Sequence, residues 1–169
     1  VIDTIDILSD WFEREIAEAH GMKNLSDRKH GVSGFELWSE YRERVENLIT
    51  YLKSSGKLAI LVAHCREAKV VEDQVIVPAG INVPGKSGAF IAAQAELIGY
   101  CYRKEVGDKT NYYVTFKGGP LAVWGSRVKE LNGKTLQFEE VNPYMCFENV
   151  FKNNGGNGNG KSSNVSKQG

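Results

Sequence analysis

The sequence predicts an α/β protein in which helices are layered on a sheet, and three observations support this class. Residues 1–6, VIDTID, begin with apolar side chains that suit a buried strand. Residues 58–62 are an unbroken apolar run, which is typical of a strand buried on both faces of a parallel sheet. Two stretches between them place apolar residues at helical spacing. The order strand, helix, helix, strand is that of a layered α/β domain.

Each of the two predicted helices has a clear apolar face. In the first, which ends before Gly21, this face consists of Leu8, Trp11, Phe12 and Ile16. The second follows an S-x-x-E capping box formed by Ser33 and Glu36. Its apolar positions are Trp38, Tyr41, Val45, Leu48 and Leu52. We therefore assign Trp11, Trp38 and Tyr41 to core packing and not to base stacking.

The remainder of the chain predicts shorter elements and a tail. One or two helical turns are expected at 89–96, and short strands at 97–103, 112–116 and 135–141. Residues 153–169 consist almost entirely of Gly, Asn, Ser and Lys, which leaves too little apolar surface to offset the entropy of ordering the chain. The predicted organisation is therefore an α/β core at 1–152 and a disordered tail at 153–169.

Charge and composition exclude several classes of protein. The 169 residues include 21 basic and 21 acidic side chains, so no net field attracts nucleic acid or a membrane surface. No run approaches the roughly 18 apolar residues that cross a bilayer. The three cysteines, Cys65, Cys101 and Cys146, form no C-x-x-C pair. This spacing argues against a zinc site and a disulfide framework, and it favours reduced thiols in the cytoplasm.

Two strands of the predicted sheet end on polar side chains. Asp3 follows Val1 and Ile2, and His64 follows the apolar run. Ligands of parallel α/β sheets bind at the carboxyl ends of the strands. At such an end a carboxylate can hold Mg²⁺ beside a triphosphate, and an imidazole can orient water or sense a terminal phosphate. A helix cap at Asp3 and a structural role for His64 remain as alternatives.

Residues 80–87, GINVPGKS, match the spelling of the phosphate-binding pattern G-x-x-x-x-G-K-[ST], with Lys86 as its lysine. A working loop of this kind lies between a buried strand and a helix N-terminus, which together face the phosphates. Pro84 within the loop, Gly88 in the first helical turn and the lack of a long apolar strand before it argue against that role. We favour a loop shaped by its glycines, and phosphate binding stays open.

The order of these motifs resembles a known family. VIDTID, a helix, SDRKHG, an E-x-W-x-x-Y helix and an apolar run that ends in AH follow one another, and PGKSGAFIAAQAELIGYCYR and WGSRVKELNGK come later. Together they resemble phage-encoded RecA-like P-loop ATPases, also described as AAA family ATPases, over most of residues 1–150. The resemblance implies the three-layer sandwich of RecA-like P-loop NTPases. It also implies truncation at the N-terminus, so that the chain starts at the Walker B strand and lacks the Walker A loop.

The resemblance assigns roles at the strand ends. Asp3 would be the Walker B carboxylate that holds Mg²⁺ through water, and Thr4 or Asp6 would help to place the ion or the attacking water. His64 would occupy the sensor position that reports the γ-phosphate of ATP. Asp3 and His64 are accordingly the catalytic candidates. The candidates for nucleotide binding are Asp3, Thr4, Asp6 and Lys86.

Basic residues elsewhere receive roles from the same resemblance. A mobile loop would follow the sensor, with Arg66 and Lys69 in contact with DNA phosphates. Lys86, Arg103 and Arg127 would be candidates for a basic group that acts across a subunit interface, as an arginine finger does. Ordinary surface charge is the alternative for each of these three.

The function that the resemblance implies for the full-length protein is ATP binding and hydrolysis in phage DNA recombination or replication. A fragment that starts at the Walker B strand is expected to be inactive alone. The expected cofactors are ATP and Mg²⁺. The expected partners are single-stranded DNA, phage recombination or single-strand-binding proteins and further copies of the chain, with no membrane, in the cytoplasm of a bacterial host. The alternative is a non-catalytic RecA-like binding or assembly module that has lost its nucleotide site.

Overall fold

The computed structural model describes residues 1–27, 30–72, 74–139 and 141–154. The chain forms two compact units. The first consists of Val1–Ile98 and Gly118–Val123, and the second of Gly99–Lys117 and Trp124–Gly169. Helices and small sheets occur together in both units, so the predicted mixed α/β class is confirmed at this level.

Two hydroxyl side chains determine where the long helices begin. The described part of the chain contains four helices, α1 Ile5–Ala19, α2 Gly34–Ser54, α3 Ser87–Gln94 and α4 Met145–Asn154. Thr4 accepts the N–H of Ile7 at the start of α1, and Ser33 accepts the N–H of Glu36 at the start of α2. Such caps satisfy N–H groups that have no partner inside the helix. The start of α2 is as predicted, whereas α1 begins directly after the first strand and includes Asp6.

The strands are short, and most pair with a single neighbour. Those in the described ranges are β1 Ile2–Asp3, β2 Leu61–Val62, β3 Cys65–Arg66, β4 Lys69–Val71, β5 Gln74–Val77, β6 Gly80–Ile81, β7 Leu97–Ile98, β8 Tyr100–Val106, β9 Lys109–Thr115, β10 Gly125–Ser126 and β11 Thr135–Phe138. In the first unit β1 pairs with β2 in parallel, while β3 with β6 and β4 with β5 are antiparallel. The predicted strands at 97–103, 112–116 and 135–141 correspond to β7 with β8, β9 and β11.

The strand predicted from the apolar run is much shorter than expected. Leu61 and Val62 of β2 pair with Ile2 and Asp3 of β1. Leu58 is 87% exposed, so the prediction of a strand buried on both faces is wrong for this part of the run. The physical reason is that β2 has β1 as its partner and, within the described residues, no second neighbouring strand.

The core of the first unit forms where α1 and α2 pack against each other. Its fully buried side chains include Ile5 and Ile16 of α1 and Leu37, Val45 and Ile49 of α2. Burial of each large apolar side chain stabilises the fold by about 1.5–3 kcal/mol. This helix pair is therefore the element against which the first strand and its polar end are held.

The aromatic residues of the two helices differ in their placement. Tyr41 is buried, its hydroxyl forms a 2.5 Å hydrogen bond with that of Ser9, and the half-buried Trp38 packs edge-on against its ring. These two assignments to the core are confirmed. Trp11 is 63% exposed, so its assignment is wrong. The inward stripe of α1 passes through Ser9 and Phe12, and the helical rotation leaves Trp11 outside it.

The second unit is built on a three-stranded antiparallel sheet with the order β11–β9–β8. A tight turn joins β8 to β9, and Gly107 in this turn has a φ of +62°, which glycine adopts without strain. Helix α4 packs against β11. The apolar core between them contains Val114, Phe116, Leu131, Leu136, Phe138, Phe147 and Val150.

The structure tests the membrane and tail predictions only for the residues that it describes. Among the helices of the described ranges, none has the length and apolar character needed to cross a bilayer. Of the tail predicted at 153–169, Asn153 and Asn154 form the last residues of α4. The rest of that tail lies outside the described residues.

Candidate active site

Two strand ends meet in the first unit, as the sequence predicts. Because β1 and β2 are parallel neighbours, with Asp3 opposite Val62, the residues that follow them leave the sheet at the same edge. After β1 the chain turns at Thr4 into α1, whose first turn includes Asp6. After β2 it reaches His64. The parallel pairing thus assembles a small polar cluster of Asp3, Asp6 and His64.

The closest contact in this cluster joins Asp6 to His64. One carboxylate oxygen of Asp6 lies 2.6 Å from Nδ1 of the imidazole, and the other accepts the backbone N–H of His64 at 3.1 Å. Asp6 is only 6% exposed, whereas the side chain of His64 is 69% exposed. A buried carboxylate therefore holds an imidazole that is open to solvent. Since Nδ1 is engaged, Nε2 is the ring nitrogen left to meet a ligand.

The pKa values of both groups shift in the directions expected of an ion pair. Burial tends to raise the pKa of the Asp6 carboxyl, but hydrogen bonds from the side chain and backbone of His64 hold it below its ordinary value. The hydrogen bond and the negative charge of Asp6 raise the pKa of His64, and Asp3 adds to this effect. His64 consequently keeps its proton to a higher pH than an isolated histidine.

Asp3 and Thr4 have different roles at the edge of the sheet where β1 ends. Asp3 is exposed and lies within electrostatic reach of His64. The hydroxyl of Thr4 accepts the N–H of Ile7 at 3.5 Å, so it serves as the cap of α1. The helix cap that is the alternative role for Asp3 thus belongs to the next residue. Asp3 remains open to a ligand.

The donor set fits a magnesium ion held mainly by water and phosphate. Within the described residues, no group of three or more His, Cys, Asp and Glu side chains could hold a metal ion. Mg²⁺ usually keeps several waters and takes one or two protein carboxylates together with substrate phosphates. The single exposed carboxylate of Asp3 is compatible with this coordination, whereas Asp6 is buried and hydrogen-bonded to His64 through both of its oxygens.

Comparison with known protein families places most of the chain in one family. A family model described as an AAA domain matches residues 1–128, which include the whole first unit and therefore the Asp3, Asp6 and His64 cluster. The chain belongs to the AAA domain family. It is thus an AAA-type domain of the P-loop ATPase-like class. No match was found among curated proteins, and none among solved structures.

The GINVPGKS segment of this AAA domain is tied into the first unit by its own backbone. The N–H of Asn82 donates to the carbonyl of His64 at 3.0 Å, and that of Val83 donates to the carbonyl of Ile81 at 2.9 Å. A phosphate cradle needs free backbone N–H groups, and these two are already engaged. Lys86 is exposed and makes no side-chain cap at the start of α3.

Gly88, the residue directly after this segment, lies too close to neighbouring backbone for a larger residue. A Cβ atom at this position would lie 2.9 Å from the carbonyl oxygen of Ile81 and 3.3 Å from that of Val83. The first turn of α3 therefore packs directly on the backbone of β6 and the loop. Within the loop, Gly85 has a φ of +60°, which glycine adopts without strain, so the interpretation of a loop shaped by its glycines is supported.

The remaining basic candidates of the AAA domain lie outside the cluster of strand-end residues. Arg66 in β3 is half-buried, and its Nε is buried without a hydrogen-bond partner. Lys69 is exposed in β4. Where the sequence predicts a mobile loop after His64, the structure has the β3–β6 pair and the β4–β5 hairpin. Arg103 in β8 and Arg127 after β10 are exposed residues of the second unit.

Asp6 is the residue whose importance the sequence underrates. From the pattern alone it is a secondary candidate, because its partner His64 lies 58 positions away. The sequence does contain a usable signal: an acidic residue two positions after a hydroxyl cap lies in the first helical turn, where negative charge is favoured. Once Thr4 is recognised as the cap, Asp6 is placed in the first turn of α1, next to the end of β1.

Proposed function

We propose that this chain binds ATP with Mg²⁺ and hydrolyses it at the edge where β1 and β2 end. The observation that supports the proposal most directly is the Asp6–His64 hydrogen bond beside the exposed carboxylate of Asp3. A cationic imidazole next to a lone carboxylate suits a magnesium–triphosphate ligand, since it offers one ligand for the ion and one donor for the phosphate.

The three side chains have separate roles in this proposal. Bound Mg²⁺ would neutralise charge on the phosphate oxygens. Asp3 would hold the ion through water, and Nε2 of His64 would donate a hydrogen bond to an oxygen of the terminal phosphate. Asp6 is a positioning residue, because it is hydrogen-bonded to Nδ1 and raises the pKa of the imidazole, which favours the protonated form while negative charge grows on the transferred group.

His64 also connects the site to a neighbouring hairpin. Its carbonyl accepts the N–H of Asn82, and the next residue begins β3, which pairs with β6. The chain then runs into the β4–β5 hairpin, where Lys69 is exposed. We infer that the state of the bound nucleotide reaches this hairpin, and that Lys69 and Arg66 contact the phosphates of single-stranded DNA.

The finer assignment rests on the resemblance of the motif order to RecA-like ATPases. We propose a RecA-like three-layer core, a role in phage DNA recombination or replication in the cytoplasm of a bacterial host, and assembly with further copies of the chain. Arg103, Arg127 and Lys86 are then the exposed cations proposed for a subunit interface. Because two amides of GINVPGKS are engaged internally, we propose that the phosphate cradle comes from a segment other than residues 80–87.

Hydrolysis of Mg-ATP by the full natural protein tests the proposal. Asp3→Asn should lower the rate at least about a hundredfold and His64→Ala about tenfold to a hundredfold, as expected for lost transition-state stabilisation. Asp10→Asn removes another exposed carboxylate further along α1 and should leave the rate unchanged. Full activity of Asp3→Asn would exclude Asp3 as the magnesium ligand.

A non-catalytic binding or assembly module is the second candidate. The backbone N–H groups of Asn82 and Val83 favour it, because both already donate to carbonyls of the chain and are not free to bind a phosphate. Titration of the full natural protein with Mg-ATP separates the two functions. Saturable binding that Asp3→Asn weakens supports the ATPase, and a lack of binding supports the module.

A further inference from the structure

The sheet of the second unit has one covered face and one face that carries a row of rings. Alternation along the strands places Val114, Leu136 and Phe138 on the face that packs against α4. The opposite face, which we call the aromatic face, carries Tyr100, Tyr102 and Lys104 of β8, Lys109, Asn111 and Tyr113 of β9, and Gln137 of β11. Trp124 extends this face at the Tyr100 end.

Four rings form a continuous row on the aromatic face. The centroid of Trp124 lies 4.6 Å from that of Tyr100, which lies 5.8 Å from that of Tyr102. Tyr102 lies 5.3 Å from Tyr113 across the hairpin, and the planes in all three pairs are inclined by 21° or less. All four side chains are half-buried. The row therefore presents a long aromatic surface that still meets solvent.

Two lysines flank this row. The Nζ atom of Lys104 lies 5.6 Å from the ring centroid of Tyr102 and 5.9 Å from that of Tyr113, a cation–π arrangement. Lys109 lies on the same face nearer the turn. Within the described part of the chain neither lysine is paired with a carboxylate. The acidic residue of β8, Glu105, alternates to the opposite face, and Asp108 lies in the turn directly before Lys109 and, among the described residues, forms no ion pair with either lysine.

We propose that the aromatic face binds single-stranded nucleic acid. Unpaired cations select a polyanion, and a row of rings selects unpaired bases, which a duplex keeps inside its stack. Stacking of bases on aromatic side chains tolerates any sequence because every base has a π-face. Lys104 and Lys109 bind phosphates, and the ring row stacks with bases. Asn111 and Gln137 are hydrogen-bonded to each other at 3.3 Å and form a polar border of the row.

This surface is separate from the hairpin named in the proposed function, although the ligand is of the same class. It belongs to the second unit, and none of its residues takes part in the Asp3, Asp6 and His64 cluster. Binding here needs no nucleotide. Measurements without ATP therefore test the aromatic face, whereas those on Asp3 and His64 variants test hydrolysis, so failure of one does not imply failure of the other.

Fluorescence anisotropy of a labelled oligo-dT, without ATP and at several salt concentrations, tests the proposal. The double variant Lys104→Ala, Lys109→Ala should bind several-fold more weakly and lower the salt-dependence slope by about 1.4, since each phosphate contact on a single strand contributes about 0.7. Tyr102→Leu should weaken binding at least about fivefold, and Tyr102→Phe, which keeps the ring, should bind like the parent chain. Lys129→Ala, an exposed lysine outside the sheet, is the charge control.

Three results would overturn the proposal. The first is equal binding by the double lysine variant and Lys129→Ala, and the second is a duplex of the same length competing as well as the single strand. The third is that the face mediates self-association, seen in sedimentation as a loss of oligomers in the lysine or tyrosine variants while oligo-dT does not bind. Since Lys104 and Lys109 are exposed, their replacement leaves the fold intact, and circular dichroism verifies this.

Discussion

The carboxylate of Asp6 contacts His64 through both oxygens: one lies 2.6 Å from Nδ1, and the other accepts the backbone N–H at 3.1 Å. The two hydrogen bonds join the first turn of α1 to the end of β2, so they belong both to the fold and to the site. A single buried carboxylate thereby positions an exposed imidazole and raises its pKa. The consequences of this arrangement can be measured.

The pH dependence of stability should show the ion pair. Asp6 has a pKa below its ordinary 3.8 in the folded chain, so its contribution is present above that pH and is lost as the pH falls through the folded pKa. His64 has a pKa above its ordinary 6.5, so its contribution is complete below that pH and is lost as the pH rises through the folded pKa. The urea midpoint of the parent chain should exceed that of Asp6→Asn most between about pH 4 and pH 6.5. A constant difference from acid to alkaline pH would contradict the pairing.

The pH dependence of ATP hydrolysis should follow the same histidine. If protonated His64 donates to the terminal phosphate, the rate falls as the pH rises through the His64 pKa. Asp6→Asn lowers that pKa and should shift the fall to lower pH, whereas Asp10→Asn should leave the profile in place. Rates measured across the pH range on the full natural protein give the comparison. A profile that does not move in Asp6→Asn would show that Asp6 does not act through His64.

Gly88 should be far less tolerant of substitution than Gly34. In Gly88→Ala the new Cβ would lie 2.9 Å and 3.3 Å from two backbone carbonyl oxygens, which cannot rotate away, so we expect a loss of about 1–3 kcal/mol. Gly34 begins α2, and no atom lies within 4 Å of the position that a Cβ would occupy there, so Gly34→Ala should gain up to about 1 kcal/mol. Urea unfolding at constant pH measures both. Equal tolerance at the two sites would mean that α3 does not rest on β6.

The hydrogen bond between Ser9 and Tyr41 should be costly to break from one side. Tyr41→Phe leaves the buried Ser9 hydroxyl without a partner and should destabilise the first unit by about 1–3 kcal/mol. Adding Ser9→Ala removes the unpaired hydroxyl, so the double variant should recover part of the loss. Tyr51→Phe, on the exposed side of α2, should be neutral in the same urea unfolding experiment. A double variant that is as unstable as the sum of the single ones would argue against the bond.

The parts of the fold that the sequence predicts well depend on local signals. The start of α2 follows from Ser33 and the periodic positions after it, because a cap and a helical face both lie within a few residues. The sequence misplaces Trp11 because several rotations of α1 suit its apolar residues, and only the packing against α2 selects one. The sequence overestimates the length of β2, because an apolar run indicates burial but does not determine how many strands lie beside it.

The site is predictable in outline but not in its central contact. Asp3 and His64 follow from the rule that parallel strands end at one edge, whereas the Asp6–His64 bond depends on a helix start and on residues far apart in sequence. The aromatic face has a sequence signal of its own. Alternation places Tyr100 and Tyr102 on one side of β8, and the turn at Gly107 sets the register that brings Tyr113 opposite Tyr102.

An NMR titration of the His64 ring in the parent chain and in Asp6→Asn tests most directly whether Asp6 controls the imidazole. We predict a pKa above the ordinary 6.5 in the parent chain, a return toward 6.5 in Asp6→Asn, and no change in Asp10→Asn. The same pKa for His64 with and without the Asp6 carboxylate would contradict this role, because the protonation of the imidazole would then not depend on Asp6.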